Sequence, residues 1–364
     1  LCYFPIMFSR IINPDKKIFS VVTCPEELGT GSNTANKGEY FFGTNQFEEK
    51  VSKNDIIHKD IIIDQQAFSA RDDKGNILNH KSDILEIIDE KSSTNQVIAN
   101  LVIGSKSGIA DNISMIPRAN ENCFWVIDVC QMRTTQKLIN NLLRLNCMVM
   151  LTGSKFYQSP PFCGALLVPK SISSKLVNIQ DSAIEPFLKI FSTSDIPLNH
   201  PKLRNKFRHN ENYGTLLRWE AAISEMKLLS FFGEDMVTMA VDRWNAFIIS
   251  QLQIKSNYFE LMPDQQFTNR SIVSFNVKHP DGSLLSDEEL RVLYLEICAK
   301  ERNYFFDFKK IIIGQPVKYD NKSFIRLALG SFNVRMLIAN DFDFQFDKKL
   351  ISIIIKELKK LYWS

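Results

Sequence analysis

The chain is short of most features that give a protein's class away. Glycine is sparse, at 14 residues in 364. That excludes collagen-like, propeller-like and glycine-rich-linker readings. No CxxC pair occurs, and the seven cysteines (Cys2, Cys24, Cys123, Cys130, Cys147, Cys163, Cys298) are odd in number and irregularly spaced. This pattern speaks against a disulfide framework and for buried, reduced thiols in a reducing compartment. The five histidines (His58, His80, His200, His209, His279) never fall at HxxxH or HExxH spacing, so no metal site is expected. No apolar run approaches the ~18 residues of a transmembrane helix. The apolar opening, Leu1 to Phe8, lacks the basic segment and small-residue cleavage site of a signal peptide. Forty-four Lys+Arg stand against 41 Asp+Glu, a net charge of +3. Nothing in that balance points to nucleic acid or an anionic membrane. The expected setting is the cytoplasm.

What is present is ordinary globular material. Hydrophobic residues make up 45% and charged residues 23%, enough for a sizeable core. The length is comfortable for two domains. Short, near-continuous apolar runs at 17–23, 60–64, 97–103, 123–129 and 148–151 read as parallel strands covered on both faces. Between them, 82–91 and 134–146 carry apolar residues at helical spacing. Strands alternating with helices predict a doubly wound α/β domain over residues 1–244. A long helical pattern begins near residue 214 and breaks near Gly233. A smaller α+β domain then follows over 245–364. In it, 271–277 alternates as a half-buried strand, and Ser286-Asp287-Glu288-Glu289 opens a helix running to about Lys300. Residues 311–313 and 324–329 read as strands, and 347–361 as a closing amphipathic helix.

The segment from Trp125 to Pro169 carries the chemistry. A strand ends in Asp128, Gln131 follows, and after a helix and a second strand comes Thr152-Gly153-Ser154-Lys155. A carboxylate at a strand's C-terminal end lies where α/β sheets place ligands. A lysine at the same edge forms Schiff bases once burial lowers its pKa. The flanking hydroxyls suit a phosphate.

These residues resemble the pyridoxal-phosphate (PLP) enzymes of fold type I, in the class V aminotransferase and group II cysteine desulfurase group. That group carries Asp-x-x-Gln at a strand end and its lysine at about this distance, before a Gly-Pro-rich turn. The resemblance implies that Asp128 keeps the pyridine nitrogen protonated and that Gln131 bonds the ring 3′-oxygen. Lys155 would hold PLP as a Schiff base and then shuttle the substrate proton. Thr152 and Ser154 would touch the phosphate, and Ser105 falls near a family Asn that approaches the cofactor. Gly314-Gln315-Pro316 followed by Phe324 to Asn333 resembles the desulfurase C-terminal pattern, which assigns Arg326 to the substrate α-carboxylate. Asn212-Tyr213-Gly214-Thr215 resembles the loop that reaches the partner subunit's cofactor phosphate, implying a homodimer and a cofactor contact by Thr215.

Three departures qualify the resemblance. Ile313 stands where the desulfurase nucleophile should be, and isoleucine accepts no sulfur; Cys298 lies upstream in an expected helix and reads as core. Glu27 stands where the family has a ring-stacking aromatic, and is read as a substrate-facing base or as a shift in the alignment. The family's phosphate loop precedes the first strand by about a helix's length, and the residues before Lys17 form no such loop. Either the chain is a piece of a longer protein, an option raised by Leu as its first residue, or the loop has been lost. The expected function is a PLP-dependent aminotransferase acting on a small amino compound. A PLP lyase without the persulfide cysteine, or an inactive scaffold relative, is the alternative.

Overall fold

The computed structural model describes residues 1–116, 122–263, 270–298, 305–306, 309–310 and 313–363. Its first half alternates helices and strands: α1 (Tyr3–Ile12), β1 (Lys17–Thr23), β2 (Ile63–Phe68), α2 (Lys81–Lys91), β3 (Asn95–Val102), β4 (Cys123–Asp128), α3 (Gln136–Arg144), β5 (Met148–Thr152) and β6 (Gly164–Leu167). They form one six-stranded sheet in the order β2-β1-β3-β4-β5-β6. All neighbours are parallel except β5 and β6.

The apolar runs form strands because both faces of this sheet are covered. Along β3, β4 and β5, Val97, Ala99, Leu101, Trp125, Ile127, Val149 and Leu151 point to one face, packed with Ile84 and Ile88 of α2 and Leu142 of α3. Ile98, Phe124, Val126, Met148 and Met150 point to the other, against Ile6, Met7 and Ile11 of α1 and against Phe187. This is the period-two alternation of a strand, with oil on both sides.

The second half begins with two long helices, α4 (Tyr213–Ser230) and α5 (Glu234–Ile254). Gly233, at φ +73°, breaks them where a side chain would be strained. There follow β7 (Phe259–Leu261), β8 (Ile272–Val277), α6 (Asp287–Cys298), β9 (Val317–Tyr319), β10 (Lys322–Ala328), α7 (Ser331–Ala339) and α8 (Gln345–Tyr362). These strands make a separate antiparallel sheet in the order β9-β10-β8-β7. Residue 245 lies inside α5, which is continuous; Ala240, Val241, Trp244 and Ile248 of that helix belong to the same core as Phe275 and Leu327.

Several elements differ from the expectation. The second strand runs over Ile63–Phe68, not 60–64. It is an edge strand paired only with β1, so it tolerates Asp64, Gln65 and Gln66, and the apolar run before it misplaced the register. β8 is buried throughout rather than on one face, because it is a central strand of its sheet. Residues 311–312 of the expected strand, and 299–300 at the end of the expected helix, lie outside the described residues; Ile313 is in irregular chain. α1 was not anticipated as a helix. Its N-terminal end lies against the sheet's C-terminal edge: an added Cβ on Gly164 would come within 3.2 Å of Leu1.

Candidate active site

Four loops meet at the C-terminal ends of the parallel strands, where such sheets place ligands. They follow β1 (Cys24 to Leu28), β3 (Ile103 to Ile109), β4 (Val129 to Arg133) and β5 (Gly153 to Gln158). Cys24, Met132 and Gln158 in these loops adopt φ of +50°, +52° and +55°. Non-glycine residues rarely take this left-handed region, and such strain concentrates at functional sites.

Asp128 ends β4 and is 9% exposed. Its carboxylate accepts hydrogen bonds from the Cys130 N–H at 2.8 Å and from the Cys130 thiol; no ion pair holds it among the described residues, and the charge of the N-terminal amine acts on it. Burial raises its pKa. The Cys130 thiol beside it is pushed well up, first by burial and then by the Asp128 charge. Across the cleft, Phe156 N–H donates to the Gln131 carbonyl at 3.3 Å, which joins the β4 loop to the turn carrying Lys155. Burial and then the charge of Arg326 lower the pKa of Lys155. Neither the Lys155 amine nor the Gln131 amide has a hydrogen-bond partner among the described residues. Thr152 and Ser154 share a hydroxyl–hydroxyl bond of 2.9 Å, and the Thr152 hydroxyl also donates to the Cys163 carbonyl. The turn is tight: a Cβ on Gly153 would lie 2.4 Å from the Ala222 Cβ of α4.

Glu27 is buried and fully engaged. It forms an ion pair of 3.0 Å with Arg71, and both side chains are closed to solvent. It also accepts from the Ser107 N–H at 3.0 Å and from the hydroxyls of Ser105 and Ser107. Arg71 in turn bonds the Gly75 carbonyl at 2.7 Å and the Ser107 hydroxyl at 2.9 Å, with its guanidinium over the Phe324 ring. A carboxylate so committed has no lone pair to spare for a substrate proton, so it is not a substrate-facing base. Ser105, read as a cofactor contact, spends its hydroxyl proton on Glu27.

The small sheet closes the cleft. Arg326, on β10, donates to the Gln315 carbonyl at 3.0 Å. Gly314 makes room for it, since a Cβ there would lie 2.4 Å from the Arg326 Cγ. Two residues not singled out in the sequence stand out here. Arg133 is 5% exposed; it donates to the Leu329 carbonyl and the Ser271 hydroxyl, both at 2.6 Å, while its Nε has no partner. It thereby fastens the β4 loop to the small sheet. Lys106 donates to the Glu26 carbonyl at 3.2 Å. Both follow within two residues of positions already of interest, Gln131 and Ser105. Thr215 lies at the start of α4, where Asn212 caps its N–H at 2.9 Å, and no hydrogen bond joins it to the Asp128–Lys155 group.

No protein-family model matches the sequence, and no curated protein matches it. Solved structures do match in shape. The 4-hydroxyphenylacetaldehyde synthase of Rhodiola rosea gives a TM-score of 0.55 at 12% identity, covering 99% of this chain and 67% of that one. Ureidoglycine–glyoxylate aminotransferase of Bacillus subtilis gives 0.55 at 12%, covering 98% and 77%. Oryza sativa TDC, solved with PLP and tryptamine, gives 0.52 at 10%, covering 95% and 61%. This chain therefore spans 61% to 77% of the length of those three. The mainly parallel six-stranded sheet, with a separate antiparallel sheet behind Arg326, is the fold type I architecture of the PLP-dependent transferases.

Proposed function

We propose that this chain is a PLP-dependent enzyme of the class V aminotransferase type, acting on an amino acid or related amine. One observation carries the reading: Asp128, Gln131 and Lys155 stand at one sheet edge, Asp128 held only by Cys130 and the Gln131 amide and Lys155 amine without a hydrogen-bond partner among the described residues. The residues fit the cofactor. A buried carboxylate bonded only to Cys130, with no ion pair among the described residues, suits a positive N–H, which a protonated pyridine nitrogen offers. The free Gln131 amide suits the ring 3′-oxygen. The Lys155 amine suits the aldehyde carbon. Ser154, Thr152 and the N-terminal end of α1 suit the phosphate.

When bound, the cofactor supplies an electron sink for charge developing at the substrate's α-carbon. Arg326 takes the substrate's carboxylate on its planar fork. Lys155, with its pKa lowered, presents more neutral amine near neutral pH and so takes and returns the proton at that carbon. Asp128 holds the proton at the far end of the ring. Persulfide chemistry has no nucleophile here. Ile313 is 5% exposed, and the Cys298 thiol is buried, accepting the Ile313 N–H at 3.2 Å.

The assembly we infer is a homodimer. α4 turns Tyr213, Leu216 and Leu217 outward, and Phe231 just after it is also exposed, each more than 60%, a cost that a second copy would remove. The seven free cysteines suit the reducing cytoplasm, and no described helix is long and apolar enough to cross a membrane.

The direct test is addition of PLP to the purified chain. A visible absorption band is expected that sodium borohydride bleaches. Lys155→Ala is expected to lose the band and Arg326→Gln to keep it. A band unchanged in Lys155→Ala overturns the assignment of the lysine.

A further inference from the structure

A cavity of about 1140 Å³ opens between α3 and the bend that joins α4 to α5. None of Asp128, Gln131, Thr152, Ser154 and Lys155 lines it, so it is not the cofactor's place. Its sides differ in chemistry. Lys137, Asn140 and Arg144 of α3, at i, i+3 and i+7, line it on one polar face, whereas Met226 of α4 and Val237 and Val241 of α5 offer apolar surface. Arg133 and Arg270 also line it, and the acids there are Glu234 and Asp242. Four cations thus stand against two carboxylates in one cavity, and none of the four forms an ion pair among the described residues.

Arg133 is the buried member, 5% exposed. One terminal nitrogen serves the Leu329 carbonyl and the Ser271 hydroxyl. Its Nε and its other terminal nitrogen have no acceptor among the described residues. The start of α3 is open in the same cavity. The Thr135 hydroxyl accepts from the Leu138 N–H at 3.2 Å, but the Gln136 and Lys137 N–H groups have no acceptor among the described residues, and no acid stands in the first turn. A guanidinium fork and an uncapped helix N-terminus both suit an anion with several acceptor oxygens. A carboxylate offers two such oxygens. A phosphate monoester offers three, and its charge of about −2 balances the excess of cations. The apolar side and the volume leave room for the organic group that carries the phosphate.

We propose that this cavity binds a small molecule bearing a phosphate monoester, held by Arg133, Lys137, Arg270 and the first turn of α3. The site stands apart from the PLP reading and does not depend on it.

The test is calorimetric titration of the full chain with phenyl phosphate and with benzoate. Phenyl phosphate is expected to bind one per chain and about tenfold more tightly than benzoate. Its affinity should rise as pH passes the second phosphate pKa of about 6. Lys137→Gln with Arg270→Gln, both at exposed positions, is expected to weaken phenyl phosphate by about tenfold with the melting temperature unchanged. Arg133→Gln should abolish binding, but it also removes the donor to the Leu329 carbonyl, so the exposed pair decides. Reduction of PLP onto Lys155 should leave the phenyl phosphate affinity as it was. Equal binding of benzoate, full affinity in the double variant, or loss of binding once PLP is fixed on Lys155 overturns the proposal.

Discussion

Asp128 illustrates how a functional group weakens the fold that carries it. Its carboxylate is buried, accepts from the Cys130 N–H and thiol, and forms no ion pair among the described residues. Its folded pKa is raised by burial, so the folded state binds a proton more readily than the unfolded one. The stability it lends is present at acid pH and is lost as pH rises through the carboxylate range. Asp128→Asn keeps an oxygen for the Cys130 N–H and removes the charge. The variant is expected to gain about 0.5–2 kcal/mol near neutral pH, read by denaturant melts, while losing PLP affinity. A variant no more stable than the native chain contradicts this view of Asp128. Gly314 makes a complementary case. Adding a methyl 2.4 Å from the Arg326 Cγ and 3.0 Å from its carbonyl leaves no space. Gly314→Ala should cost about 1–3 kcal/mol and weaken carboxylate binding by displacing Arg326. At this scale Asp128, Gln131 and Lys155 were singled out by the resemblance of their spacing to a family pattern, and the structure puts them at or just after the C-terminal ends of β4 and β5. Lys106 and Arg133 were not, because a lone basic residue in a loop carries no period. Only the fold brings Arg133 to the Leu329 carbonyl and the Ser271 hydroxyl.

Among the elements, α8 and the β4 loop each rest on one buried charged residue. Asp347, in the first turn of α8, accepts from the Trp244 Nε1 at 2.9 Å. A helix N-terminus favours a carboxylate, yet burial dominates and pushes its pKa up from 3.8 to about 6. The folded state therefore binds the extra proton between those values, and stability falls as pH rises from about 4 to about 6. Asp347→Asn should remove this part of the pH dependence and add on the order of 1–3 kcal/mol at neutral pH. Melting temperatures of both proteins across that window give the difference; parallel curves count against it. Arg133 works in the opposite sense. Arg133→Met leaves the Leu329 carbonyl and the Ser271 hydroxyl without their donor, and should cost about 2–4 kcal/mol. Continuous apolar runs made β1, β3, β4 and β5 readable from sequence, since both faces of each are buried. The edge strand β2 was misplaced because half of it faces water, and a strand judged by apolar content alone is then set in the wrong register.

For the whole molecule, a mainly parallel sheet followed by a smaller α+β part was foreseeable from strand–helix alternation and its loss, whereas the sixth, antiparallel strand β6 was not among the runs read as strands. What the sequence left open was which loops meet, since that depends on strand order rather than on strand identity. Glu27 shows this well. From sequence it stood where a ring-stacking aromatic was due, and only the pairing of β1 with β3 and with β2 brings Ser105 and Ser107, and Arg71, around it. The outward apolar residues of α4 belong to this scale too. Leu216→Glu with Leu217→Glu should convert the proposed dimer to a monomer in light scattering. A native chain that is already monomeric at high concentration contradicts the dimer.

The central claim is that this sheet edge builds a PLP site on Lys155. Reduction of the PLP-treated chain with borohydride, followed by peptide mapping, tests it most directly. The account predicts one pyridoxyl group per chain, on Lys155. A label spread over surface lysines, or none at all, would contradict it.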